Sequence, residues 1–318
     1  MDYVYAAIGL VLLLVAGDLL VRGAVNMSLR LGVPALIVGL TIVAFGTSAP
    51  ELLISISAIL EGSPGIAMGN VVGSNTANIL MVLGVPALLA GGIHTGTVDT
   101  RKSYAIMIGA TVIFIAMAYL GGFNWAYGLV LLAMLAVILG GQAREAMRHR
   151  RDAQDEAEEE EELEGVDPSM PWWKINTFLV LGLIGLPLGA EVLVNAAQAI
   201  ARDFGVSDAV IGLTLVAVGT SLPELATTMA AAWRKQTEVA LGNVIGSNMF
   251  NLLAIIGVAS LFGAIPVDPQ ILRFDLWVML AASLVLAPFV FIKSASIGKL
   301  WGAAFCVLYG VYVWQVVV

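Results

Sequence analysis

Two glutamates stand where an apolar helix should carry no charge. Glu51 follows the run Ala44-Phe45-Gly46-Thr47-Ser48-Ala49-Pro50. Glu224 follows Ala217-Val218-Gly219-Thr220-Ser221-Leu222-Pro223. Both runs lie inside stretches apolar and long enough to cross a membrane. A carboxylate at bilayer depth costs about 2.5–3.5 kcal/mol even on the lenient insertion scale. Thr47 and Thr220 precede the acids by one turn and share their helix face. In the first run the proline removes a backbone donor and clashes with the preceding turn, which releases carbonyls near Ala44 and Thr47. Released carbonyls survive in hydrocarbon only where they line a protein-enclosed cavity, and a bound cation is one partner for them. Two symmetric carboxylates facing each other would repel unless a cation sat between. Ca²⁺ takes six to eight oxygens, including carboxylates, carbonyls and hydroxyls. Two glutamates, two threonine carbonyls and water supply such a set. Ser48, Ser221, Ser74 and Ser247 add neutral oxygens, which suit a monovalent ion such as Na⁺.

These residues occur twice because the chain repeats itself. Residues 41–78 and 214–251 align at a constant offset of 173 residues without a gap, and 18 of the 38 positions are identical. A second shared motif follows the glutamates, Gly69-Asn70-x-x-Gly73-Ser74-Asn75-x-x-Asn78 and Gly242-Asn243-x-x-Gly246-Ser247-Asn248-x-x-Asn251. Glycines four apart permit close helix approach. Ser74 and Asn78, like Ser247 and Asn251, are four apart and share a face. Small residues at this spacing are common packing devices by themselves. It is their conjunction with Gly/Pro breaks and acids, in both copies, that points to the binding site of a secondary transporter. Asp18 and Glu191 also correspond at the offset of 173. Asp18 can pair with Arg22 one turn later, and both acids are assigned a structural role at helix ends.

The elements that must hold these groups are membrane helices. The chain is 59% hydrophobic and 12% charged, with a mean hydropathy of +0.94, against roughly a quarter charged for a soluble domain. Ten apolar spans are expected: 4–25, 35–60, 66–90, 103–120 and 124–143, then 175–200, 207–232, 238–263, 274–292 and 298–317. The expected fold is all-α and polytopic, with a first five-helix repeat over 1–143, an acidic cytoplasmic linker over 144–172 and a second five-helix repeat over 173–318. Five is odd, so the second copy enters the membrane in the opposite sense, as an inverted repeat. With the N-terminus outside, Arg22, Arg30, Arg101, Lys102, Arg144, Arg148, Arg150, Arg151, Lys174, Arg234, Lys235, Lys293 and Lys299 fall on the cytoplasmic side. Only Arg202 and Arg273 fall outside, in agreement with the positive-inside rule. Both termini then face outward in a multi-pass cell-membrane protein, and residues 4–21 read as a retained first helix rather than a cleaved signal.

The net charge of −8 is a local feature, because 11 of the 23 acids lie in 145–167. That segment is too charged to bury anything and reads as a solvated linker. The single Cys306 excludes a disulfide framework. His94 and His149 lie in or near loops, so no histidine cluster is available for zinc or haem. No cofactor and no nucleic-acid partner are expected.

The paired Gly-Thr-Ser-x-Pro-Glu and Gly-Asn-x-x-Gly-Ser-Asn motifs resemble the alpha repeats of the sodium/calcium exchanger branch of the cation/calcium antiporter superfamily, in its compact prokaryotic form. The resemblance covers the whole ten-helix layout. It implies a Ca²⁺ site at Glu51 and Glu224 with the Thr47 and Thr220 carbonyls. It also implies Na⁺ sites from Ala44, Ser48, Ser74, Ala217, Ser221 and Ser247, with Asn78 and Asn251 auxiliary. It further implies exchange of Na⁺ for Ca²⁺ by alternating access, the first helix of each half sliding over the rest. Potassium-dependent relatives carry an aspartate at the position matching Asn251, so the amide argues against K⁺ co-transport. The chain is expected to act as a monomer, with Ca²⁺, Na⁺ and the lipid bilayer as its partners. The residues themselves leave a proton/calcium antiporter open, with the glutamates shuttling protons. They also leave a cation channel open, although a duplicated chain favours alternating access. An enzyme is not expected, because it would need a nucleophile–base pair or a catalytic metal site and no histidine sits near the repeats.

Overall fold

The structure is a computed structural model that describes residues 1–155, 167, 169–205, 217–292 and 294–317. All its regular elements are helical. In chain order they are α1 (Asp2–Leu31), α2 (Ala35–Val38), a π-helical turn (Gly39–Val43), α3 (Ala44–Thr47), α4 (Ala49–Leu60), α5 (Pro64–Leu80), α6 (Gly84–Leu89), a short 3₁₀ turn (Thr95–Thr97), α7 (Arg101–Tyr119) and α8 (Trp125–Asp155). After the linker come α9 (Trp172–Asp203), α10 (Ala217–Thr220), α11 (Leu222–Trp233), α12 (Thr237–Phe250), a π-helical turn (Asn251–Ile255) and α13 (Ile256–Phe262). A third π-helical turn (Ile271–Asp275) leads into α14 (Leu276–Val285), α15 (Ala287–Phe291) and α16 (Lys299–Val317).

Among the described residues, seven helices are long and apolar enough to cross a membrane. An eighth is added if the pair Ala35–Thr47 and Ala49–Leu60, bent by 42°, is one span. The expected span 207–232 begins in residues 206–216, outside the described residues, as do Lys293 and residues 156–166 and 168 of the linker. Two helices overrun their expected ends by several residues. The first span was expected to end at 25, yet α1 continues to Leu31. The fifth span was expected to end at 143, yet α8 continues to Asp155. After Gly141 the chain offers Gln, Ala, Arg, Glu and Met, good helix formers with no glycine or proline to stop them. Lys102 of α7 also pairs with Glu145 and ties that extension down.

The long helices α1 and α9 pack on each other through small residues. A Cβ added at Gly9 would lie 2.6 Å from the Leu193 nitrogen, and one at Gly182 would lie 2.6 Å from the Leu20 Cβ. Gly185 meets Ala16 at 2.8 Å and Gly189 meets the Leu13 nitrogen at 2.9 Å. The partner numbers fall on one helix as they rise on the other, so α1 and α9 run antiparallel. These two helices correspond at the offset of 173, and so does the pair of contacts Gly9–Leu193 and Gly182–Leu20.

Ties between elements define two opposite ends of the molecule. At the end that carries the linker, Arg30 donates to the Met170 carbonyl at 2.9 Å, and the Asp167 amide donates to Asn26 Oδ1 at 2.9 Å. There too the Glu238 carboxylate accepts the Leu36 amide at 3.0 Å and satisfies an orphan donor at the start of α2. At the far end, Phe123 and Ile265 exchange backbone hydrogen bonds at 2.9 and 2.7 Å. The interior is apolar, with Phe114, Phe123, Leu131 and Met68 buried on one side and Leu83, Met107 and Phe305 on the other.

Asp18 departs from its expected place. It lies inside the 30-residue α1 rather than at a helix end. The expected pair with Arg22 forms at 3.0 Å, but Asp18 also pairs with Arg234, beyond the end of α11. Glu191 likewise lies within α9, exposed.

Candidate cation site

The two glutamates sit just after two matching breaks. Ser48, between α3 and α4, has φ −88° and ψ 3°; Ser221, between α10 and α11, has φ −87° and ψ 5°. Both lie in the sparsely allowed bridge region. In each copy the proline takes the second position of the new helix, where its missing donor costs nothing. The acid therefore falls in the first turn of α4 or α11, where the helix dipole favours negative charge. Glu51 and Glu224 are each 1% exposed.

The second motif braces these breaks. Asn70 Nδ2 donates to the Glu51 carbonyl at 3.3 Å and to Ser55 Oγ at 3.2 Å. Asn243 Nδ2 repeats this on the Glu224 carbonyl at 3.3 Å and on Thr228 Oγ1 at 3.1 Å. Asn243 Oδ1 also accepts the Thr47 hydroxyl at 3.1 Å, which ties the two halves together. Four asparagines complete the seam. Asn75 and Asn248 donate to each other's backbone carbonyls, both at 3.3 Å. Asn78 Nδ2 donates to Asn248 Oδ1 at 3.1 Å, and Asn251 Nδ2 to Asn75 Oδ1 at 3.0 Å. Asn75 and Asn248 are thus spent on the joint. Sequence reading placed Asn78 and Asn251 as auxiliary ligands but missed the bracing by Asn70 and Asn243. Their repetition at the offset of 173 was the available signal.

The glycines of α12 bring these groups close. A Cβ at Gly246 would lie 2.6 Å from the Ala44 Cβ, and one at Gly242 would lie 2.7 Å from the Leu36 carbonyl. The first copy of the break therefore lies directly on the second copy of the Gly-Asn-x-x-Gly-Ser-Asn motif. Ser247, fully buried, comes within 3.4 Å of the Thr47 hydroxyl. Ser74 is buried on α5. The Ala44 carbonyl, expected to be released, accepts the Ser48 amide at 3.1 Å and the Thr47 hydroxyl at 3.3 Å. Thr220 is half-buried at the end of α10, and the Ala217 side chain lies outside the described residues.

Six buried oxygens at this crossing accept no hydrogen bond among the described residues. They are both carboxylate oxygens of Glu51, Oε2 of Glu224, the Ser221 hydroxyl, and Oδ1 of Asn78 and of Asn251. The other Glu224 oxygen accepts the Ser48 hydroxyl at 3.2 Å. Each buried orphan costs about 1–3 kcal/mol, and more if charged. Oxygens alone, two of the groups carboxylates, form a donor set for a hard cation. Among the described residues no cluster of three histidine, cysteine or acidic residues offers a metal centre of another kind.

Comparison with known proteins agrees with this chemistry. The family model described as "Sodium/calcium exchanger protein" matches residues 1–143 and 175–318. The chain is 33% identical over 324 residues to the sodium/calcium exchanger MaX1 of Methanosarcina acetivorans, with 91% of each chain covered. It is 31% identical over 313 residues to the inner membrane protein YrbG of Escherichia coli, covering 96% of this chain and 93% of YrbG. The solved structure of the sodium-calcium exchanger NCX_Mj soaked with Na⁺ and Sr²⁺ superposes with a TM-score of 0.81. It is 33% identical and the match covers 98% of this chain and 97% of that one. The fold, the duplicated breaks and these matches together place the chain in the sodium/calcium exchanger family of membrane antiporters.

Proposed function

We propose that this protein exchanges Na⁺ for Ca²⁺ across the cell membrane by alternating access, with one central site shared by its two halves. The observation that carries the reading is the set of six unsatisfied oxygens around Glu51 and Glu224. Ca²⁺ is the cargo that two carboxylates balance in charge, with the Thr47 and Thr220 carbonyls completing its shell. Na⁺ takes the neutral oxygens of Ser48, Ser74, Ser221 and Ser247 and the backbone at Ala44 and Ala217. Asn78 and Asn251 offer Oδ1 atoms that accept no hydrogen bond among the described residues, while their amides hold the seam.

The antiparallel packing of the equivalent helices α1 and α9 supports the inverted repeat of residues 1–143 and 173–318. On the ten-span reading the linker end is cytoplasmic and both termini lie outside. One chain contributes both glutamates, so a monomer suffices.

Antiport also explains why the site is not lined by charge on all sides. A channel needs sites weak enough to leave on either side at once, whereas a buried, two-carboxylate pocket between matched helix breaks holds its ion until one face opens. A proton/calcium antiporter would use the same carboxylates without needing the serine oxygens. The deciding experiment is ⁴⁵Ca²⁺ uptake into proteoliposomes loaded with Na⁺, with K⁺, or buffered at acid pH. Uptake driven by internal Na⁺ alone supports the proposal. Uptake driven by the proton gradient without Na⁺ assigns the proton reading instead.

A further inference from the structure

The two ends of the molecule are built from equivalent residues but are not in equivalent states. At the linker end α1 lies on α11, where a Cβ at Gly17 would lie 2.8 Å from the Ala226 carbonyl. Ala226, Thr227 and Ala230 are buried, Ala226 to 6% exposure. The residues that match them at the far end are Leu53, Ile54 and Ser57 of α4. All three are exposed, Leu53 to 66%. The linker face is closed over its half of the site, and the matching surface at the far face is uncovered.

One ion-pair cluster crosses the closed face. Asp18 of α1 holds Arg22 on its own helix and Arg234 beyond α11. Side-chain exposures of 33% for Asp18 and 18% for Arg234 leave the pair partly desolvated. Arg234 is followed by Lys235 at φ 56°, a left-handed residue other than glycine. That turn is pinned by the Lys235 amide on the Ala232 carbonyl at 3.1 Å and the Gln236 amide on the Ala231 carbonyl at 2.8 Å. Arg234 is therefore presented from a rigid corner. At the offset of 173, Asp18 corresponds to Glu191, Arg22 to Asn195 and Arg234 to Glu61. Where one end has an acid and two bases, the other has two acids and an amide. Glu61 and Glu191 cannot pair with each other.

We infer that Asp18 and Arg234 form a latch that holds the linker face shut. The matching positions at the far face, Glu61, Glu191 and Asn195, offer no such acid–base pair, so the ion-free protein rests open toward the far face. The latch rests on the alternating-access reading above and assigns its resting bias to two residues outside the cation site.

The test uses the full chain in nanodiscs, where both faces are reachable, with Cys306→Ser as background. Single cysteines at Leu53→Cys and Ala226→Cys report the two faces through their labelling rates with a maleimide in choline buffer. The latch requires Leu53→Cys to label faster than Ala226→Cys. Asp18→Asn or Arg234→Gln then reduces that ratio by roughly fivefold, the upper range for a partly exposed pair. Arg234→Lys keeps the charge and holds the ratio within about twofold. Glu61→Lys supplies a base at the position that matches Arg234 and lowers labelling at Leu53→Cys, a result that does not depend on the stability of the Asp18 variants. A ratio that responds to Na⁺ and Ca²⁺ but not to these substitutions overturns the latch alone. A ratio unmoved by any ion or substitution overturns alternating access itself.

Discussion

Glu51 and Glu224 occupy the same position in two copies of one motif, yet the contacts of their carboxylates differ. Both follow a serine in the bridge region, and both have their carbonyls braced by an asparagine at 3.3 Å. But the Ser48 hydroxyl donates to Glu224, whereas the Ser221 hydroxyl is unpaired among the described residues and so are both oxygens of Glu51. Local sequence builds two equal half-sites. In the structure α1 covers the linker-end half while the matching surface at the far end is uncovered, which makes the half-sites unequal. Symmetry in the covalent chain with asymmetry in its packing is what an alternating-access machine requires.

The strongest way to break this comparison is to remove a carboxylate. Glu51→Gln and Glu224→Gln should each reduce Na⁺-driven ⁴⁵Ca²⁺ uptake by about 100-fold or more. Losing one side of a buried charge pairing costs about 2–5 kcal/mol. Near-normal flux in both variants would take the glutamates out of the site. Loss of an asparagine brace should have a smaller effect. Asn243→Ala removes the donor to the Glu224 carbonyl and Thr228 and an acceptor of the Thr47 hydroxyl. It should lower thermal stability by about 1–3 kcal/mol, the scale of a buried hydrogen-bonding group left unpaired. An unchanged melting temperature would argue against the tie across the halves.

The serines sharpen the contrast directly. In ion-free buffer Ser48→Ala removes a donor from a carboxylate and should destabilise by about 1.5–3 kcal/mol, while Ser221→Ala should fall within about 0.5 kcal/mol of the parent. Saturating Na⁺ should make both substitutions costly, since both hydroxyls then serve the ion. Differential scanning calorimetry with and without Na⁺ reads this. The smallest expected effect concerns potassium. With amides at both Asn78 and Asn251, replacing all K⁺ by choline under a clamped voltage should change Ca²⁺ uptake by less than about twofold. An amide offers one neutral acceptor where a carboxylate adds charge. An absolute K⁺ requirement would sink that assignment.

Much of this was legible before any coordinates. The constant offset of 173 residues, the prolines after Gly-Thr-Ser and the buried acids are covalent facts. Each has a local consequence: a broken helix, a carboxylate at its new start, small residues for close approach. Physics confined to one turn of helix can be read from neighbours in the chain. The extension of α8 to Asp155 was misjudged because charge marks solvation, whereas alanine, arginine and glutamate favour helix wherever the solvent lies.

Other features could only emerge on folding. That Asn70 and Asn243 spend their amides on the glutamate carbonyls, and that Asn75 and Asn248 bond each other across the seam, depends on which helices meet. That Asp18 reaches Arg234 and not only Arg22 joins residues 216 apart. Which face is closed depends on where α1 and α9 rest on the other helices. A sequence that codes nearly the same half-site twice leaves that choice to long-range packing and, on the latch proposed above, to the few charges, such as Arg234 and Glu61, at which the copies disagree.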